Sequence, residues 1–178
     1  MENNIDRIYR DHINDLFSYA LHFGFDRETC KDAIHDVFYK LCVDKTRLDT
    51  INNMRFYLLR ALKNRLLDIY KKKKDISELS LDAQYNDLPF TITVTIEDSI
   101  IETEEEEKIK NTVESLLKTL TDHEREIIYL RFNQECSYED IAQLMGISVH
   151  SCRKLSYKAI TKLKMSSLPL SLILLFIH

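Results

Sequence analysis

The chain has 178 residues, with 25 Lys and Arg against 29 Asp and Glu, six His, four Cys, two Gly and two Pro. So few Gly and Pro, with long stretches of 3.6-residue apolar period, exclude a turn-rich β fold and point to an all-α protein of one large or two small domains. The net charge of −4 conceals a division: residues 1–74 hold 15 Lys and Arg against 11 Asp and Glu, residues 75–107 none against 11, and residues 108–178 ten against seven. The acidity belongs to the middle, so it does not exclude nucleic-acid binding by the two ends.

In chain order, Ile5, Ile8, Tyr9, Ile13, Leu16, Phe17 and Ala20 recur at helical spacing, with Gly24 as a stop. Asp26 is placed to cap a second helix with an apolar face of Ala33, Ile34, Val37, Phe38 and Leu41. Residues 44–54 are polar and read as a loop. A third helix over 55–73 has Leu58, Leu59, Leu62, Leu66 and Ile69 as its buried stripe, and its other side carries Arg60, Lys63, Asn64 and Arg65 before ending in four lysines, Lys71–Lys74. That ridge suits either a solvated helix end at the negative pole of the dipole or contacts with phosphate.

From Asp75 to Glu107 there is no positive charge. The segment reads as a flexible acidic linker. Its TITVTI at 91–96 has the alternation of a strand but no partner strand, and its EEEE at 104–107 suits the positive end of a following helix. Helical period returns through Ile109, Val113, Leu116, Leu117 and Leu120. Thr121 to Glu124 form a capping box, opening a helix expected to turn Ile127, Ile128, Leu130 and Phe132 mostly inward.

Ser137–Lys164 reads as a helix-turn-helix. Ala142 permits close helix crossing, Gly146 can take the positive φ that ends the first helix, and Ser148 caps the second. The second helix and its cap, residues 148–164, contain five cations and no acid. The apolar tail, Leu168–Ile177, is too short for a bilayer, which takes about twenty residues, and is expected either to fold back on its domain or to dock into a partner.

Cys30, Cys42, Cys136 and Cys152 form no C-x-x-C pair and fall in apolar helical patterns. With no signal peptide read at the amino terminus, buried reduced thiols in a cytoplasmic protein are expected. The histidines show no ligand spacing, so no metal and no cofactor is expected. Asp32 and Asp36 at i,i+4 raise a metal-dependent nuclease, but no third ligand accompanies them at a recognisable spacing. An α-helical adaptor without a DNA role is disfavoured by the acid-free cationic helix.

Three motifs in order carry a resemblance. Residues 33–38, AIHDVF, resemble the A-E-D-L-V-Q-E-V-F segment of the bacterial group 4, or extracytoplasmic function (ECF), sigma factors, with Asp36 at the acidic position and His35 for the usual Gln. Residues 57–68, YLLRALKNRLLD, are similar to the family's W-L-x-x-I-A-x-N-x-x-x-D, with Tyr57 for Trp and Asn64 and Asp68 retained. Residues 120–164 follow its L-P-x-x-x-R-E-V…L-R-x-x-x-x-x-S-Y-x-E-I-A-x-x-x-G-I-S pattern. They depart from it on the second helix, where Ser151-Cys152-Arg153 replaces T-V-K.

The resemblance implies an all-α protein of two small helical domains. These are a three-helix sigma region 2 at 1–74 and a helix-turn-helix region 4 at 108–165, joined by the acidic linker 75–107 and followed by the tail 166–178. It implies a non-enzymatic factor whose partners are core RNA polymerase (beta and beta-prime subunits), promoter DNA and, as for many relatives, an anti-sigma factor, for which the tail is the candidate contact. Asp32, His35, Asp36 and Phe38 would dock polymerase. Arg60, Lys63, Lys71, Lys72 and Lys73 would meet phosphates at the −10 element, with Asn52, Asn53 and Asn64 on base edges. At the −35 element Ser148, His150, Ser151, Arg153 and Lys154 would read bases, and Arg131, Lys158 and Lys162 would meet phosphates. A stand-alone helix-turn-helix regulator is the alternative, and it leaves the two upstream motifs unexplained.

Overall fold

The computed structural model describes residues 4–44, 51–73, 88–92, 104–165 and 168–175. The chain divides into two compact units, Met1–Pro89 and Phe90–His178.

The first unit is built from α1 (Asn4–Leu21), α2 (Arg27–Val43) and α3 (Met54–Lys73), each packed on the other two. Helix α1 stops where Gly24 takes φ 76°, a conformation glycine adopts without the strain other residues incur. The Asp26 side chain then accepts a 2.9 Å bond from Thr29 N and starts α2. Asn53 does the same for α3, its Oδ1 accepting from Phe56 N at 3.0 Å. The core gathers Leu16, Tyr19 and Ala20 of α1, Ala33, Ile34, Val37, Phe38 and Leu41 of α2, and Leu58, Leu59, Leu62 and Leu66 of α3. Each such Leu or Ile contributes about 1.5–3 kcal/mol by leaving water.

The second unit contains α4 (Glu104–Lys118), α5 (Asp122–Ile128), α6 (Tyr138–Met145), α7 (Val149–Lys164) and α8 (Leu170–Leu175). The capping box forms as read: Glu124 N donates to Thr121 Oγ1 and Thr121 N donates to Glu124 Oε2. Helix α6 ends at Gly146 in the left-handed region, and Ser148 Oγ accepts from Ser151 N to start α7. The apolar tail folds onto its own domain: α8 packs on α7, with Ile173 buried.

Helix α5 does not continue regularly. Residues Tyr129–Asn133 form a π-turn, with Gln134 N donating to Tyr129 O over five residues. The wider turn shifts the side-chain register, which corrects the expectation for this segment. Tyr129 is fully buried and Phe132, expected inward, is exposed. The chain leaves the π-turn through Glu135 at φ 51°, a left-handed conformation that strains a residue bearing a Cβ. Glu135→Gly is therefore expected to raise the stability of this unit by about 0.5–1 kcal/mol, read as an upward shift in its urea midpoint.

The thiols differ from expectation at one position. Cys30, Cys136 and Cys152 are buried, and burial pushes the Cys30 and Cys152 thiols up to about 11, leaving them poor nucleophiles. Cys42, at the exposed end of α2, faces solvent. Most of the linker reading, including 93–96 of the strand-like segment, lies outside the described residues, as do Lys74 and residues 45–50. Residues 91–92 are not in a strand.

Candidate nucleic-acid interface

In the first unit, α2 and α3 bound a cleft of about 390 Å³. Tyr57, Arg60, Asn64 and Asp68 recur at helical spacing on one side of α3 and meet Asp36 and Lys40 of α2 there. The two sequence motifs of this unit therefore converge on one place. Arg65 spans it: its Nε donates to Asp36 Oδ2 at 2.7 Å and its Nη2 lies 2.6 Å from the same oxygen. Asp36 thus ties α2 to α3, and its carboxylate is half-exposed at the cleft edge rather than fully presented to a partner.

Two expectations are corrected here. Lys63 is 1% exposed. Position 63 falls on the same side as Leu59, Leu62 and Leu66, and its ammonium sits 6.0 Å over the Phe23 ring. It presents no charge to phosphate. Phe38 stands one turn after Ile34, is buried, and packs edge-on against Tyr9 at 4.9 Å, so it belongs to the core and anchors nothing outside. The exposed side of α2 instead offers Asp32, His35, Tyr39 and Val43, the last two each 70% exposed. Tyr39 and Val43 went unselected in the sequence because the motif match ended at Phe38. Their place at i+7 and i+11 from Asp32 was the available signal.

Arg60, Lys72 and Lys73 are exposed and Lys71 half-buried, with Lys73 4.0 Å from Asp26 and 5.7 Å over the Phe25 ring. Asn52 is exposed; Asn53 is exposed as well, but its side chain is occupied as the α3 cap.

In the second unit, α7 buries Cys152, Ser156, Ala159 and Leu163 and turns His150, Ser151, Arg153, Lys154, Tyr157, Lys158 and Lys164 outward. Tyr157 is 74% exposed amid the cations of this face. Sequence reading passed it over as well, since an aromatic on a helix is ordinarily assigned to the core. Arg153 lies 5.7 Å over the Tyr138 ring and 3.3 Å from Glu139 Oε1, which holds its guanidinium against α6. Tyr138 in turn has its hydroxyl 3.3 Å from Ser156 Oγ. Ser148 and Ser151 are joined at 2.9 Å as part of the cap.

The cations assigned to phosphate divide differently from expectation. Arg131 stacks on the other contact of Tyr138 at 5.0 Å and donates to Cys136 O at 2.9 Å, closing the turn into α6. Lys162 donates to Glu124 Oε2 at 2.6 Å and to Thr119 O at 3.2 Å, so it binds α7 to α5. Lys158, 3.7 Å from Glu124 Oε1, remains mostly exposed. Arg131 and Lys162 therefore hold the domain together, while Arg153, Lys154, Lys158 and Lys164 form the outward cationic face.

Comparison with known proteins agrees with this geometry in both units. The model of Sigma-70 region 2 matches residues 8–76, and that of Sigma-70 region 4 matches residues 116–165. The ECF RNA polymerase sigma factor SigM of Bacillus subtilis is 21% identical over 160 residues, covering 90% of this chain and 93% of that protein. The RNA polymerase sigma factor YlaC of the same organism is 25% identical over 170 residues, 91% of each chain. Among solved structures, the sigma factor RpoE, co-crystallised with the anti-sigma factor NepR from Bartonella quintana, shares the fold. Its TM-score is 0.60 at 18% identity, over 90% of this chain and 94% of that one. No helix among the described residues is long and apolar enough to cross a membrane. With the cleft motifs inside the region 2 match and the cationic helix inside the region 4 match, the chain belongs to the sigma-70 family, as a sigma factor of the extracytoplasmic function group.

Proposed function

We propose that this protein binds core RNA polymerase in the cytoplasm and directs initiation at promoters that its two units read together. The carrying observation is the outward face of α7, which gathers Arg153, Lys154, Lys158 and Lys164 with no carboxylate in the helix to oppose them. Such a face supplies the phosphate attraction and the base contacts that the second helix of a helix-turn-helix makes in a major groove. Tyr157 adds an aromatic to it, suited to apolar contact with a thymine methyl.

In the first unit, Arg60 and Asn64 at the cleft and Lys71–Lys73 beyond it would meet the −10 element, while Asp32, His35, Tyr39 and Val43 on α2 form the polar-rimmed apolar surface for polymerase. The acidic linker suits a cation-lined channel that normally holds RNA. An anti-sigma factor, as in the RpoE–NepR complex, is a further partner of this reading. Catalysis of transcription belongs to the polymerase, and this chain supplies specificity.

The test is reconstitution with core polymerase and run-off transcription on genomic fragments. Initiation at discrete sites that requires both components is the expected result. Tight duplex binding by the chain alone, with no polymerase-dependent initiation, would overturn the reading in favour of a stand-alone regulator.

A further inference from the structure

Tyr138 opens α6, directly after the Ser137 cap, and its half-buried ring is held from two other elements. From the π-turn, the Arg131 guanidinium lies 5.0 Å over the ring and is itself pinned by its 2.9 Å bond to Cys136 O. From α7, the fully buried Ser156 brings its hydroxyl to 3.3 Å from that of Tyr138. The ring is therefore fixed before anything binds. Arg153, about one turn before Ser156 on α7, lies 5.7 Å over the same ring. It touches α6 in two chemically different ways. Its Nη2 donates to Glu139 Oε1 at 3.3 Å, which occupies an N–H that a base edge would need. The ring contact draws on the charge instead, so the planar fork of donors stays available. The guanidinium can thus exchange Glu139 for guanine N7 and O6 while it keeps the ring.

We infer that Tyr138 is a positioning residue for the recognition helix: its ring holds the Arg153 guanidinium in the orientation from which it reads the −35 element; this rests on the sigma-factor reading above. The effect falls on specificity, and the reason is geometric. An arginine can meet a phosphate from many rotamers, because attraction to the DNA charge does not demand one orientation. A bidentate contact with guanine does demand one, and a long side chain gives up rotamer freedom to reach it. A ring that has already restricted the side chain removes part of that cost, and it does so on the preferred sequence alone. At an exposed position such a contact changes an equilibrium constant by about two- to fivefold. Tyr138→Leu keeps apolar bulk at the position but removes the ring. It should therefore reduce discrimination by about that factor, with the salt slope of affinity unchanged because no charge is lost.

The experiment is a promoter-binding assay with the reconstituted holoenzyme, reading the affinity ratio between the preferred and a substituted −35 element. It compares the natural chain with Tyr138→Leu, Tyr138→Phe, Arg153→Ala and the double variant Tyr138→Leu/Arg153→Ala. Tyr138→Leu is expected to lose about two- to fivefold in the ratio. Tyr138→Phe keeps the ring and should restore it. Once Arg153 is gone, Tyr138→Leu should change the ratio no further, because the two residues act as one unit. A loss that persists in the Arg153→Ala background, or one of equal size in Tyr138→Phe, would overturn the assignment. So would an undiminished ratio in Tyr138→Leu. A second readout is nitrogen relaxation at Arg153 Nε in the free, full-length chain, where the guanidinium should be restricted in the natural protein and released by Tyr138→Leu. A guanidinium already freely mobile in the natural chain would overturn the assignment even if Tyr138→Leu failed to fold. Absence of any −35 preference in the natural holoenzyme, with Arg153 ordered, would instead overturn the sigma-factor reading.

Discussion

Replacing Glu124 by Ala is expected to cost the second unit about 2–4 kcal/mol. The carboxylate is 1% exposed yet charged, and three groups hold it: Thr121 N at 2.9 Å, Lys162 Nζ at 2.6 Å and Lys158 Nζ at 3.7 Å. Through these it caps α5 and ties α5 to α7, which pack against each other. Deleting it leaves Thr121 N uncapped and Lys162 facing a half-buried void without its counterion. The upper end of the usual range for a broken buried pair is not reached, because Lys162 is part-exposed and Lys158 mostly so. Since the chain has two units, the measurement is amide hydrogen exchange resolved by segment. Protection should fall across α5 and α7 and stay unchanged across α1–α3.

The same carboxylate gives the unit a defined acid sensitivity. Burial alone would raise the Glu124 pKa, but the hydrogen bonds from Lys162 and Thr121 N and the charge of Lys158 outweigh it and hold the value below the ordinary 4.5. A group whose folded pKa is depressed stabilises the fold above its unfolded pKa, and that stability is lost as pH falls through the folded value. Glu124→Gln keeps the shape and an acceptor for the cap but removes the charge. Its deficit relative to the natural chain should be constant above about pH 5.5 and shrink as the pH drops below 4.5.

Much of the fold was legible because its signals are local. Asp26, Thr121, Ser137 and Ser148 each cap an amide three residues ahead, and Gly24 and Gly146 end helices where a positive φ is needed, so a short window of sequence contains the whole interaction. Which candidate side chains face outward was legible where residue type and helical position agreed, as for the exposed Arg60, Arg153 and Lys154. The reading failed where they conflicted. Lys63 was read by its charge, but its place beside Leu62 and Leu66 buries it. Phe38 was read by its motif, but its position one turn from Ile34 puts it in the core. Tyr157 and Tyr39 were passed over for the opposite reason, being aromatic at exposed positions. The π-turn has no signature in the Ile127–Asn133 stretch. Phe90 meets Arg125 across 35 residues of sequence, which no local pattern encodes.

Arg153→Ala is expected to erase most of the preference among −35 sequences while leaving the fold intact. The guanidinium is exposed, and its contacts to Glu139 at 3.3 Å and over the Tyr138 ring at 5.7 Å hold it in place at little energetic depth. Exposed pairs of this kind contribute about 0–1 kcal/mol, so DNA can draw the side chain away from Glu139 at small cost. It sits on the first turns of α7, the part of a recognition helix that meets base edges, and a bidentate guanidinium–guanine contact discriminates by about 1–3 kcal/mol. Removing it should therefore shrink the affinity ratio between the preferred and a substituted −35 element by about 5- to 150-fold in a holoenzyme promoter-binding assay. Lys158→Ala is the control for charge alone. Almost three turns from the Ser148 cap and mostly exposed, Lys158 should contact phosphate, so its loss should weaken every sequence alike and reduce the slope of log affinity against log salt by about 0.9. Undiminished discrimination in Arg153→Ala would show that this face of α7 is not the one that reads the −35 element.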